Sequence, residues 1–204
     1  MPTTAIVSTA YLPPIAFFKI LTDYSTILME NMEHFPKQTY RNRCEIYGAN
    51  GLLTLSIPLE KNTERTLSKD IRISYTQNWQ HIHWRSLQAA YRRSPFFEFY
   101  EDEFAPFYES KKNIFLKDFN DSFLELLIQL LKINPSINNA ISYEKEHPNA
   151  LDLRNAISPK RNAISFAYQP KNYTQVFENK HGFIPNLSIV DLLFNQGTKA
   201  KDYF

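Results

Sequence analysis

The amino-terminal residues predict a strand, a helix and a second strand in immediate succession, and this order restricts the fold more than any other feature of the chain. Residues 4–12 are mostly apolar, and Pro13-Pro14 then opens a helix over residues 15–22, because proline is tolerated in a first helical turn. A second strand follows over residues 25–30. We therefore expect a parallel βαβ crossover with a functional loop after the first strand, where Tyr11 lies.

The remaining periodicities predict a mixed α/β fold. Asn50-Gly51 marks a hairpin between residues 43–47 and 52–57, and alternation predicts a strand over residues 71–75. Three helices are expected from Asn78, from residue 96 and over residues 115–131, forming a central helical subregion of about residues 78–133. Towards the carboxyl end, we predict strands over residues 140–143 and 173–177, and a final helix capped by Asn186 and stopped by Gly197.

Composition limits the domain count and the class of partner. A chain of 204 residues with 43% hydrophobic and 22% charged residues is expected to fold as one domain, residues 1–204. Its 23 basic and 21 acidic residues leave a net charge of +2, and the pairs Arg92-Arg93 and Lys160-Arg161 form no extended basic stripe. Nucleic acid is therefore not an expected partner, and the oligomeric state is not indicated.

The cysteine count, the glycine motifs and the apolar runs indicate where the protein is located and which cofactors it could bind. The chain has a single cysteine, and its amino terminus does not resemble a signal peptide. It also has no apolar run of about 20 residues, so we predict a cytoplasmic protein without a membrane span. With only four glycines, the chain has neither a Walker loop nor a GxGxxG motif. No cofactor is evident, and a nucleotide or nucleotide-sugar would have to be held by side chains or a helix amino terminus.

The densest polar string, Tyr40-Arg41-Asn42-Arg43-Cys44, predicts a site for an anionic small molecule, because arginine offers a planar fork to phosphate or carboxylate. In an extended strand, Arg41 and Arg43 would share one face, with Lys37 nearby, while Asn42 and Cys44 would face the other way. The alternative is a solvated edge strand, which we favour for Lys37 alone. Cys44 is either an activated nucleophile or inert core.

Two histidines, an arginine and an aspartate complete the candidate set. His83 shares a helix face with Trp79, so it is either a core histidine or a general base, and its spacing from His81 excludes a shared metal. His181 is either an anion-handling or a solvated loop residue. Arg154, after Asp152, either binds substrate or forms a surface ion pair. Asp191 needs a buried partner, for which an arginine of the polar string is the candidate.

Several strings, in this order, resemble the WbqC-like protein family over nearly the whole chain: Tyr11-Leu12-Pro13-Pro14, Gln38-Thr39-Tyr40-Arg41-Asn42-Arg43-Cys44, His83-Trp84-Arg85, Ser94-Pro95-Phe96-Phe97, Asp152-Leu153-Arg154 and His181-Gly182-Phe183-Ile184-Pro185-Asn186-Leu187-Ser188. The resemblance implies a bacterial protein of O-antigen or other surface-polysaccharide synthesis, and a presumed transferase. The first strand, loop and helix also look like the start of a nucleotidylyltransferase fold, but its HxGH signature is absent.

Together these features predict a transferase acting on an activated sugar or acyl donor that carries an anionic group. Arg41, Arg43 and Arg154, with Lys37, would bind the anion, because placed cations stabilise developing charge. His83 or His181 would move a proton, and Tyr11 and Asn42 would orient the substrate. The competing hypothesis is a non-catalytic binding or scaffold module of an envelope-biosynthesis complex.

Overall fold

The structure is a computed structural model, and it describes residues 3–159, 163–164 and 168–204. The chain begins with strand β1 (Thr4–Ser8), helix α1 (Ile15–Asp23) and strand β2 (Thr26–Glu30). Strands β1 and β2 pair in parallel, with Thr4 beside Thr26 and Ser8 beside Glu30. The predicted βαβ crossover is confirmed.

The hairpin and the central helices also form as predicted. Strands β3 (Arg43–Gly48) and β4 (Gly51–Ser56) pair antiparallel, and Gly51 adopts a φ of 99°, which favours glycine. Three helices follow: α2 (Trp79–Tyr91), α3 (Phe97–Glu109) and α4 (Leu116–Leu131). Their buried faces are aromatic; the rings of Phe107 and Phe123, for example, stack with centroids 3.9 Å apart.

Two short strands complete a parallel sheet around β1. Strand β5 (Ile137–Asn139) pairs with β2, and strand β6 (Leu151–Asp152) pairs with β1 on its opposite side. The sheet order is therefore β5-β2-β1-β6, with all pairs parallel. Strands β2 and β6 lie on opposite sides of β1, so the strand order reverses between β1 and β6. Open α/β sheets bind their ligands at such a reversal, just outside the carboxyl ends of the strands.

The carboxyl-terminal part adds strands β7 (Ile157–Ser158) and β8 (Ala163–Ile164), helices α5 (Glu178–His181) and α6 (Ile189–Gln196), and a 3-10 segment at Gly197–Tyr203. Helix α6 is almost entirely buried and ends at Gly197, as predicted. A Cβ at Gly197 would lie 2.7 Å from the Phe96 ring, so a larger residue does not fit there. Lys160 and Arg161 lie outside the described residues.

Three predicted strands are absent from the described residues at their predicted positions. Ile71 and Ile73 are buried in alternation, but residues 71–75 form only isolated bridges, through Arg72 and Ile73. The strand predicted at 140–143 lies earlier, as β5. Residues 173–177 form no ladder, because Tyr173 and Gln175 are buried through side-chain hydrogen bonds instead. At residues 71–73 and 173–175, burial alternates although the described residues there form no ladder; residues 141–143 are instead all exposed.

Asn186 caps helix α1, so the prediction that it caps the final helix is wrong. Its Oδ1 accepts the backbone N–H of Ala16 at 2.9 Å, and the N–H of Ile15 donates to the Leu187 carbonyl at 3.0 Å. Ser188 caps α6 instead, its Oγ accepting from Val190 at 3.5 Å. Asn186 has a φ of 55°, a left-handed conformation that asparagine tolerates better than most residues. The amino terminus of α1 is thus satisfied from within the fold.

Asp191 is fully buried in α6, and its partners are neutral side chains, not the arginine that the sequence suggested. Its Oδ2 accepts from the Tyr173 hydroxyl at 2.7 Å and from Gln175 at 3.1 Å, while Oδ1 has no hydrogen-bond partner among the described residues. Burial raises the pKa of Asp191 to about 6, although hydrogen bonds from Tyr173, Tyr91 and Gln175 lower it. Removal from water favours the neutral form of this carboxyl, and this effect outweighs the surrounding hydrogen-bond donors, which favour the charged form.

We expect Asn186→Ala to destabilise the protein by roughly 2–3 kcal/mol, because it removes the α1 cap and places alanine at a left-handed φ. Asn186→Gly, which relieves the backbone strain but still lacks the cap, should cost about 1 kcal/mol. Urea unfolding of both variants, with the exposed Asn172→Ala as control, measures the two contributions. Equal stability of all three variants and the parent would contradict the capping role.

The buried Asp191 should make the protein lose stability as pH rises between about 4 and 6. The folded pKa is raised from 3.8 to about 6, so the folded state binds the extra proton in this window, and the difference amounts to up to about 3 kcal/mol. Asp191→Asn should remove this part of the pH dependence. The measurement is the free energy of unfolding in urea, for parent and variant, across this pH range. If both free energies changed with pH in the same way, Asp191 would have the same pKa in the folded and unfolded states.

Candidate functional site

A cavity opens at the carboxyl ends of β1 and β6, where the strand order reverses. Its floor is formed by Val7–Ala10 at the end of β1, and its polar side chains include Arg41 and, after β6, Arg154. The free space in it is about 30 Å³, which suits a small group more than a whole nucleotide. The cavity therefore occupies the position in which parallel α/β sheets bind ligands.

Arg41 reaches this cavity from a turn, not from a strand as the sequence suggested. Strand β3 begins only at Arg43, so the alternation argument does not apply to Arg41. The turn is held by backbone contacts: the Tyr11 N–H donates to the Tyr40 carbonyl at 2.9 Å, and Asn120 donates to the Arg41 carbonyl at 2.8 Å. Arg41 and Arg43 consequently do not share a strand face, and Arg43 does not line the cavity.

The guanidinium of Arg41 is buried, with 4% of the residue exposed; Glu33 neutralises its charge, but part of its hydrogen-bonding capacity is unused. Its Nε donates to Glu33 at 2.9 Å, and its Nη2 contacts both Glu33 and the Ser8 hydroxyl, the latter at 2.6 Å. Burial lowers the pKa of Arg41, while Glu33 raises it. Nη1 has no hydrogen-bond partner in the described part of the chain and is not sealed from solvent, so two N–H donors stay free.

Arg154 lines the same cavity but has no donor left. Its five side-chain N–H groups match five hydrogen bonds. Two go to the Asp152 carboxylate, at 2.9 and 2.6 Å, and one to Glu30 at 3.5 Å. The other two go to the backbone carbonyls of Glu144 and Lys145. Arg154 thus ties the segment before β6 to the sheet and offers a ligand only its charge.

Tyr11 and His83 meet in the core, away from the cavity. The Tyr11 hydroxyl lies 3.0 Å from His83 Nδ1 and 2.9 Å from the Tyr108 hydroxyl. Burial lowers the pKa of His83 to about 4, so this ring is neutral at physiological pH. Cys44 is fully buried, and burial raises its pKa, as expected of inert core. These contacts describe a buried polar cluster of the core.

The remaining predicted residues are dispersed. Lys37 is exposed, and Asn42 donates its side-chain N–H to the Ile57 carbonyl at 3.0 Å, which fixes the chain before β3. The buried Nε of Arg43 has no partner among the described residues. His181 is exposed, and its Nε2 lies 3.0 Å from the Ala49 carbonyl at the hairpin turn. The catalytic and binding roles assigned to these residues stay predictions.

Sequence reasoning missed the polar partners of Arg41 at the strand ends. Ser8 and Thr9 follow the buried residues of β1 directly, and Glu30 is the last residue of β2. Parallel strands bring their carboxyl ends to one edge, so polar residues at both ends were a usable signal. Glu33, by contrast, lies in the loop beyond β2, and no periodicity places its carboxylate beside Arg41.

The fold and the cavity define an α/β protein with a buried cation at the strand-order reversal of a parallel sheet. Comparison with known proteins gives the family: the WbqC-like protein family matches residues 9–163 and 158–203, and the chain belongs to it. It is also 25% identical over 227 residues to the uncharacterized protein Rv1507c of Mycobacterium tuberculosis, covering 100% of this chain and 97% of that protein. No solved structure matches the chain.

Replacing Tyr11 with phenylalanine should destabilise the fold by about 1–3 kcal/mol, because His83 Nδ1 and the Tyr108 hydroxyl would each lose a buried partner. Chemical denaturation of Tyr11→Phe compared with Tyr143→Phe, whose ring is 51% exposed, measures this cost. The control should unfold like the parent. A Tyr11→Phe variant as stable as the control would rule out a structural role for the hydroxyl.

Proposed function

We propose that this protein binds the anionic group of a small molecule through Arg41 in the cavity between β1 and β6, and that it acts as a transferase on an activated sugar or acyl donor. The observation that supports this is the pair of free N–H donors on a guanidinium that is 4% exposed. A buried N–H donor without an acceptor is costly, so unused donors at a cavity favour a ligand with strong acceptor atoms, and the oxygens of an anionic group are the strongest.

The transferase part of the proposal follows from electrostatics and from the family. Preorganised donors in a site of low dielectric stabilise charge that develops in a transition state, and Arg41 is held in place by Glu33 and Ser8. Among the described residues that line the cavity there is no histidine, so Arg41 would act as the charge-stabilising group. The family resemblance favours a role in bacterial surface-polysaccharide synthesis, for which a cytoplasmic location suits nucleotide-linked or acyl donors. Within the described residues, no helix is long and apolar enough to cross a membrane.

A non-catalytic scaffold is the second candidate, because two apolar side chains of the central helices are exposed. Ile82 in α2 is 58% exposed and Phe99 in α3 is 77% exposed. Exposed aromatic and aliphatic residues occur at protein interfaces, although single ones are also common on ordinary surfaces. This hypothesis predicts no small-molecule ligand at Arg41.

A thermal-shift screen against nucleotide sugars, ATP, and amino and acyl donors tests the proposal, since a ligand that binds only the folded state raises the melting temperature. We expect at least one class to do so, and we expect higher salt to weaken the effect. The double variant Arg41→Gln/Glu33→Gln should abolish the shift without leaving an unpaired buried charge, whereas Lys61→Ala, at an exposed lysine that does not line the cavity, should retain it. A shift that survives the double variant, or no shift in any class, would refute binding at Arg41.

A further inference from the structure

The charges around the cavity disfavour a ligand with several negative charges. Two guanidiniums, Arg41 and Arg154, contact three carboxylates, Glu30, Glu33 and Asp152, so the cluster carries one surplus negative charge. A phosphate monoester brings a further charge of about −1.5 to −2 at neutral pH. A single carboxylate brings only one, and like charges at short range repel strongly where water is excluded.

The free donors match a group with two oxygen atoms. Arg41 Nη1 offers two N–H groups, and the hydroxyl of Thr9, which lines the cavity, has no hydrogen bond to any described residue. Phosphate groups are usually held by backbone N–H groups at a helix amino terminus. That source is closed here, because the first N–H groups of α1 already donate to Leu187 and Asn186. The donor set is therefore too small for a phosphate.

The other walls of the cavity are apolar. Side chains from β1, α1 and the segment after β6 contribute this surface: Val7, Phe17, Ile20, Leu153 and Ile157. Sugar or ribose hydroxyls placed against such walls would lose hydrogen bonds to water without gaining new ones. A short aliphatic body avoids this cost and gains about 0.8 kcal/mol for each buried methylene. The free space of about 30 Å³ also limits the inserted part to a small group.

We propose that the cavity takes a monocarboxylate with a short aliphatic body, held by Arg41 Nη1 and the Thr9 hydroxyl. This inference rests on the proposed function and narrows its donor to a carboxylate or the acyl group derived from it, in preference to the phosphates of a nucleotide sugar. Thr9 then determines which anion binds. Its hydroxyl supplies a hydrogen-bond donor that Arg154 cannot supply, because all five N–H groups of Arg154 are already used.

Titration calorimetry at constant ionic strength, with sodium chloride as the reference salt, tests this inference. Formate, acetate, propionate and butyrate should bind, with affinity rising by up to about fourfold per methylene until the apolar wall is filled. Inorganic phosphate and pyrophosphate should give no binding. Thr9→Val, which keeps the side-chain shape, should weaken acetate binding about fivefold or more at an unchanged melting temperature of the free protein. Lys61→Ala, at an exposed lysine that does not line the cavity, should leave it unchanged.

The possible failures are distinguishable. Phosphate or pyrophosphate binding that the Arg41→Gln/Glu33→Gln variant abolishes, without carboxylate binding, would overturn this inference and leave the proposed anion site intact. Carboxylate binding that neither Thr9→Val nor the Arg41 double variant weakens would overturn the assigned site. If none of these anions binds and no donor raises the melting temperature, both the inference and the proposed function fail.

Discussion

The pairing of β1 with a parallel strand on each side is the constraint on which the rest of this structure depends. Because β2 and β6 lie on opposite sides of β1, the loops that leave their carboxyl ends separate and leave a crevice above β1. Polar residues at these ends then face one another: Ser8 at the end of β1, Glu30 at the end of β2 and Arg154 just after β6. The βαβ crossover that the sequence predicts so strongly is therefore also what creates the site.

Two buried arginines in this crevice have different functions, and the number of their hydrogen bonds distinguishes them. Arg154 has five donors and five acceptors, so it contributes to the fold by tying residues 144–145 and β6 together. Arg41 has a carboxylate partner on one edge of its guanidinium, whereas its Nη1 has no partner in the part of the chain that the structure describes. Leaving N–H donors of a buried side chain without acceptors lowers stability, and such costs are typical of functional sites.

Local patterns were sufficient to predict much of the fold, and they also pointed to one residue that lines the candidate site. The hairpin at Gly51 and the three central helices depend on turn chemistry and a 3.6-residue period, which are properties of neighbouring residues. Arg41 was singled out by its chemical type, but the direction of its side chain was not predicted. It lies in the turn at residues 40–42, where the alternation of side chains along a strand does not apply. The partners of Asn186 and Asp191 could not be predicted, because they lie far from these residues in the sequence and no local pattern encodes such contacts. Ala16, for example, lies 170 residues before Asn186.

The cap that Asn186 provides to α1 also explains why the candidate site uses a side chain for its anion. In α/β proteins with a glycine-rich first loop, the free N–H groups of the following helix receive the phosphate. Here the first loop contains Pro13-Pro14 instead of glycines, and the N–H groups of Ile15 and Ala16 are bound by the carboxyl-terminal part of the chain. The cavity therefore lies at the usual place, the carboxyl end of the first strand, but the helix N–H groups that usually bind the ligand there are already occupied. Under the proposed function, Arg41 would supply the donors that the helix does not offer, and this smaller donor set would favour a smaller and less charged ligand.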